Sequence, residues 1–424
     1  MDLKANQRRL LEQVEAQRDE IISLTMDLIA APSTIEHQAG AVELMEERLT
    51  ALGYPPRRVP VATGQAAERP GFAPVPWSYA GADNLVALRS ADGEGGRSAL
   101  FNGHLDVVSA EPIASWSRDP FQPYIKDGWL YGRGSGDMKA GVAAMIYALN
   151  SVDAAGFGLN APVTLETVVD EECCGNGALS CRYAGYDADA VLIPEPFGPT
   201  ILTAQVGVVW FRIDIEGKPV HVLEAPAGTN AIEKSFPLIQ ALRGLEAELN
   251  EENVPEAYQD VPHPLNLNIG IFQAGDWPST VPAAAEIHAR LSYFPGTSFA
   301  EVAQRIEQAV STAAAADDWL RDYPPRVSFY GFRSDGHLLP ATTPALKTLS
   351  NCHQQLTGEP AQPYIATCTT DLRAFHHFGR SQHTCFGPVA HSIHGVDECV
   401  NLDSVLHTAR TYALFLSEWC GLQE

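Results

Sequence analysis

Short apolar runs alternate with helix-spaced stretches between residues 85 and 169. SALFNGH at 98–104 and VTLETVV at 163–169 are strand-like, and DMKAGVAAMIYALNSV at 137–152 carries helical periodicity. That alternation predicts a mostly parallel sheet with helices on its faces. Beyond residue 205 the pattern changes. In VVWFRIDIEG, Phe211, Ile213 and Ile215 alternate with Arg212, Asp214 and Glu216, the mark of a strand with one wet face. Ile232, Phe236, Ile239, Leu242, Leu245 and Leu249 then form a stripe at three- and four-residue intervals, predicting a helix with those residues inside. LNLNIGI alternates, AEIHARLSYF does so less cleanly, SFAEVAQRIEQAVSTAAA is helical, and RVSFYGF supplies a last strand. The order βαββαβ predicts a ferredoxin-like open-faced sandwich at residues 206–333, inserted into a larger domain made of 1–205 and 334–424.

Length agrees with two domains, because 424 residues exceed one ordinary core. A hydrophobic content of 45% with 19% charged residues is that of a globular chain. Lys and Arg number 28 against 52 Asp and Glu, a formal charge of −24, which repels phosphate backbones and argues against nucleic-acid binding. Near the N-terminus, apolar residues stand at helical spacing among Glu, Gln and Arg, and the run ISLTMDLIAA contains Asp27, unlike a secretory leader. No apolar run is long enough to span a bilayer. The eight cysteines are scattered without a C-x-x-C pair, so they are expected to be reduced thiols in the cytoplasm.

Five clusters carry candidate chemistry. In FNGHLDVV, His104 and Asp106 stand two apart at a strand end and share a face, where a carboxylate can fix the tautomer of a metal-bound imidazole. Taken alone, the pair is equally a loop histidine with a turn aspartate. In GRGSGDMKAG, glycines flank Asp137 at a helix start, a position that also suits a plain helix cap. In VVDEECCGNGA, Asp170, Glu171 and Glu172 follow an apolar strand directly. Three successive carboxylates there are costly unless a cation neutralises them, although a surface turn would also hold them. AVLIPEPFG places Glu195 at another strand end, and FGPVAHSIHGVDECV sets His391 and His394 before Asp397 and Glu398. Together they supply nitrogen and carboxylate donors at strand ends, where open α/β sheets build their sites, and that donor set suits catalytic Zn²⁺ with Co²⁺ or Mn²⁺ as substitutes.

With GHLDVV, WLYGRGSGDMKAG, DEE, PEP, GKPVH to GTNAI, VPAAAEIHARLSYFPG, TDLRAF and HGVDE in this order, the chain resembles the metallopeptidase and deacylase family. That family includes acetylornithine deacetylase, succinyl-diaminopimelate desuccinylase, the aminoacylases and glutamate carboxypeptidase. The resemblance runs through nearly the whole chain. It implies a zinc-exopeptidase-like catalytic domain with the insert as lid and dimerisation domain, and two Zn²⁺ per chain bridged by Asp137. His104 and Glu195 would complete one shell, Glu172 and His394 the other. His394 is preferred to His391 because it stands three residues before the Asp-Glu pair. Glu171 would be the general base and Asp106 would orient His104. The peptide after Asp137 would be cis. His221 would reach the active site of a partner subunit in a homodimer and help polarise the scissile carbonyl, and Asn230 and Arg373 would touch substrate.

The chain also departs from that pattern. Relatives carry Asp-x-Arg before the Pro-Gly that follows the lid strand, whereas here Arg290 is shifted by two residues from Ser292, onto the same strand face, as a further candidate substrate contact. Cys173 and Cys174 follow Glu172 where smaller or aliphatic residues are common. The resulting expectation is a dinuclear-metal deacylase acting on the amide of a small N-acyl amino acid or N-acyl or N-formyl amine. The displaced arginine favours a substrate other than a standard α-amino acid, such as a formylated heterocyclic amine. A dipeptidase or carboxypeptidase using the same site is the alternative, and a non-catalytic small-molecule-binding relative is the alternative of another class. The lid and the Pro-rich loop near residues 55–76 are expected to set specificity.

Overall fold

The computed structural model describes residues 3–340 and 342–423. A six-stranded sheet forms its centre, in the order Arg57–Val59, Asn84–Arg89, Val163–Val168, Ala99–His104, Ala190–Ile193 and Gln382–Cys385. The last four run parallel, and Asn84–Arg89 is antiparallel to its neighbour Val163–Val168. The strands Ala99–His104 and Val163–Val168 are buried throughout, as a sheet covered on both faces requires. Helix Ala140–Ala154 packs against helix Leu402–Leu416 and is buried at twelve positions, so its amphipathic signal is weak. Among the described residues no helix is long and apolar enough to cross a membrane.

The insert is a four-stranded antiparallel sheet in the order Leu267–Ala274, Ala284–Tyr293, Gly207–Glu216, Arg326–Ser334, with helices Ala231–Glu251 and Phe299–Ala315 on one face. Asn230 caps the first helix by accepting from the Ile232 amide, and Ser298 with Glu301 forms a capping box on the second. Two hydrophobic cores result. One draws on residues from Leu10 to Leu202 and from Ala345 to Cys420, the other on residues from Ala204 to Phe332. In the second core Phe211, Ile213 and Ile215 point inward as their alternation predicted.

Two details differ from the expected pattern. Phe236 is 54% exposed, and the buried stripe of its helix runs through Ala231, Ser235, Leu238, Leu242, Leu245 and Leu249. Those positions keep strict four- and three-residue steps, so the helix turns Ala231, Ser235 and its four leucines, rather than Phe236, inward. The strand Leu267–Ala274 loses its alternation at a register shift between Ile269 and Ile271. Because it is an edge strand, Ile271 and Phe272 remain 47% and 42% exposed.

Candidate metal centre and substrate cavity

Parallel strands end at one rim of the central sheet, and the loops that follow carry the charged cluster. His104 closes one strand, Glu171 and Glu172 follow another, and Glu195 follows a third. Asp137 lies in the turn before helix Ala140–Ala154, and His394 comes from a loop near the C-terminal end of the chain. His104, Asp137 and Glu195 offer ligand atoms within 4.8 Å of one another, as do Asp137, Glu172 and His394. Asp137 is common to both groups. Its Oδ1 lies 3.1 Å from His104 Nε2 and its Oδ2 lies 3.5 Å from His394 Nε2, while His394 Nε2 is 3.0 Å from Glu172 Oε2. His391 stands apart and stacks on Trp129 with ring centroids 4.6 Å apart.

The Asp137 turn is held from below. Buried Glu398 accepts the amides of Gly134, Gly136 and Asp137 at 2.9–3.0 Å and the Arg133 guanidinium at 2.6 Å. Gly134 adopts φ 78°, and a Cβ there would stand 2.5 Å from Val107 Cγ1, so this turn requires glycine. The Asp137–Met138 peptide is cis, as the resemblance implied.

Asp106 is positioned differently from the expectation. Its backbone carbonyl, rather than its carboxylate, lies 2.9 Å from His104 Nδ1, and Oδ1 is 3.9 Å away. The carboxylate instead accepts the amides of Glu171 and Glu172 at 3.2 and 3.0 Å, tying the two acidic segments together. Asp170 turns away from the cluster, with φ 71°, and accepts from Trp77, Tyr79 and Cys174. That knot gives adjacent Cys174 a role as donor, and burial raises the Asp170 pKa to about 6.

The electrostatics fit a pair of divalent cations. Burial pushes the carboxyls of Glu171, Glu172 and Glu195 upward. Burial also opposes charge on Asp137, but hydrogen bonds from His104 and His394 hold its pKa below the ordinary value. The negative field of Glu172 raises His394 to about 11. Both His104 and His394 are pushed towards the charged form by the surrounding acids, in a place where cations would balance them equally. Glu171 Oε1 is buried with no hydrogen-bond partner in the protein. Nitrogen and oxygen donors, with one carboxylate shared by two trios, suit a two-metal site.

Above this floor lies a cavity of about 560 Å³, roofed by the open face of the lid sheet. Asn268, Arg290 and Trp210 stand in one row across three neighbouring strands. Phe197, Tyr330 and Phe332 extend the aromatic wall, and His288 lies 2.7 Å from the Tyr330 hydroxyl. Arg290 forms no ion pair among the described residues and reaches only the Thr367 carbonyl at 3.5 Å, and burial lowers its pKa. It is therefore a free cation facing the cavity.

The other expected contacts do not line this cavity. Asn230 is occupied as a helix cap, and Arg373 faces a neighbouring cavity, its guanidinium over the Phe332 ring. His221 is exposed on the lid and accepts from the Leu223 amide. Sequence reasoning missed Glu398, Trp210, Asn268, His288 and Tyr330. The one available signal was an aromatic, Trp210, on the wet face of an alternating strand.

Comparisons with known proteins agree with this architecture. The chain is 26% identical over 437 residues to N-formyl-4-amino-5-aminomethyl-2-methylpyrimidine deformylase of Halalkalibacterium halodurans, covering 98% of each chain. It is 26% identical to succinyl-diaminopimelate desuccinylase of Polynucleobacter necessarius, covering 94% of this chain and 98% of that protein. Its fold superimposes on a di-peptidase of Saccharomyces cerevisiae with a TM-score of 0.79 at 14% identity, covering 99% of both. Residues 100–418 match peptidase family M20/M25/M40, and with the fold and site described above the chain belongs to that family of metal-dependent amide hydrolases.

Proposed function

We propose that the protein is a two-zinc deacylase that removes a small acyl or formyl group from an amine, with residues 206–333 acting as its lid. The observation that carries this reading is the shared Asp137 between two ligand trios, beneath an apolar cavity with aromatic walls. His104, Asp137 and Glu195 would hold one ion, and Asp137, Glu172 and His394 the other, with Co²⁺ or Mn²⁺ as substitutes. When bound, such ions supply a water of lowered pKa and polarise the amide carbonyl. Glu171 takes the proton from the attacking water and returns it to the leaving nitrogen, acting as base and then as acid. Its unpartnered Oε1 and buried setting suit a group that holds a proton in transit. Asp106 fixes the His104 ring through its carbonyl and sets the position of Glu171 through its carboxylate.

For the substrate, a flat N-acylated or N-formylated heterocyclic amine fits the walls formed by Trp210, Tyr330 and Phe332, and the similarity to a formyl-aminopyrimidine deformylase points the same way. Asn268 and Arg290 would bind its polar edge. The test is hydrolysis of N-formylated amines, N-acyl amino acids including N-acetylornithine, and dipeptides. Turnover is expected on the first two classes, and a clear preference for dipeptides would replace this reading with the peptidase one, for which Arg290 is the available carboxylate contact.

The lid is also proposed to join two subunits. Val222, Leu223, Phe236, Phe272 and Trp277 are all exposed on it, apolar side chains that an interface would cover. Exposed His221 adjoins Val222 and Leu223 and would enter the partner's site to steady the oxyanion. Sedimentation of the active enzyme is expected to give a dimer, and a monomer with full activity would remove His221 from this role. All eight cysteines are free thiols, which supports a cytoplasmic location.

A further inference from the structure

Away from the acidic cluster, His337, His376 and His383 bring ring nitrogens within 4.8 Å of one another. His337 and His383 are 3% and 6% exposed, and His376 opens onto a side cavity of about 440 Å³. No carboxylate belongs to this group. Neither ring nitrogen of His337 has a hydrogen-bond partner in the protein, and His383 Nε2 has none either. His383 Nδ1 lies 3.0 Å from the Ser381 carbonyl, so Nδ1 carries the proton and Nε2 presents its lone pair to the cluster. Metal-binding histidines are set up in this way, with the far nitrogen donating to a carbonyl. Burial holds His337 down to about 2 and His383 down to about 4, and burial also lowers His376, so all three rings are neutral at physiological pH.

We propose that His337, His376 and His383 form a third metal site, separate from the paired one, for a late first-row divalent cation such as Zn²⁺. An all-imidazole set without oxygen donors selects Zn²⁺, Ni²⁺ or Cu²⁺ over Mg²⁺ or Ca²⁺. The rings of His337 and His376 lie face to face, with centroids 4.3 Å apart, and His383 stands edge-on to both. Closing on an ion therefore requires His376 to turn, which its exposed place in the last turn of helix Leu372–Phe378 permits. The location suggests what the ion does. His337 stands three residues after the last lid strand and pairs with Gln205, just before the chain enters the lid, while His376 and His383 come from later segments of the catalytic domain. At that crossing a Cβ on Gly336 would stand 2.6 Å from the Gly207 amide nitrogen, so the two connecting segments run in close contact. A cation there fastens the root of the lid to the catalytic domain.

The test compares the whole protein with His376→Ala after dialysis in zinc-buffered solution, by metal analysis and thermal melting. The unaltered protein is expected to carry one zinc per chain more than His376→Ala, and its melting temperature to rise on zinc addition by more than that of the variant. The same one-ion difference is expected in an Asp137→Asn background, which separates this site from the paired one. His383→Gln serves as a second variant, checked for fold by circular dichroism. Equal zinc content with and without His376 overturns the proposal, whatever the enzyme's activity proves to be.

Discussion

Glu171→Gln is expected to retain the metals and to lose turnover by roughly 10²–10⁴-fold, the usual contribution of a positioned acid–base group. The substitution keeps size and shape, and the main-chain bond from residue 171 to Asp106 does not depend on the side chain. On the proposed function, what it removes is a place to hold a proton next to the candidate metal ligands. Glu171 Oε2 lies 4.0 Å from His104 Nε2, close to the ligands yet outside both trios. Metal content by elemental analysis, together with kcat and KM on the best substrate, checks this. A variant with unchanged kcat would assign proton transfer elsewhere, and one lacking metal would make Glu171 a ligand.

At the paired site, Asp137→Asn is expected to lower metal content from about two ions per chain to about one or fewer, counted in a His376→Ala background that removes the third site, with activity falling accordingly. The aspartate directs one oxygen towards each histidine. An asparagine keeps one oxygen, but its amide nitrogen cannot serve the second ion, and the loss of a charge weakens the hold on both. The fold is expected to survive, because Glu398 holds the turn through backbone amides. Elemental analysis and circular dichroism together check this, and two tightly held ions in the variant with the His376 site removed would contradict a bridging role.

The parts of the molecule that follow from local periodicity were legible in the sequence. Phe211, Ile213 and Ile215 declare a one-sided strand, and that strand forms part of the insert's core. The acidic and imidazole side chains were legible jointly, as several donors at strand ends, while the resemblance rather than any single motif implied the place of each in a ligand set. Longer-range pairings were not. Glu398 reads as half of an acidic pair with Asp397, yet it reaches back 264 residues to Gly134, and nothing local marks that closure. For Asn230 the resemblance implied a substrate contact, whereas in the structure its side chain accepts from the Ile232 amide as a helix cap. Phe236 fits a helical stripe as well as Leu238 does, and only the sheet it would have to meet distinguishes them.

Floor and roof of the cavity stand on different hydrophobic cores, with the acids on one and the row Asn268–Arg290–Trp210 on the other. Selectivity and reactivity are therefore inherited separately. A change of wall residue alters what is admitted without straining the turn that holds Asp137, and a loss of stability in the insert blunts recognition before it reaches the chemistry. Such a scaffold can exchange one amide for another by redecorating a single surface, while the groups that break the bond stay as they are.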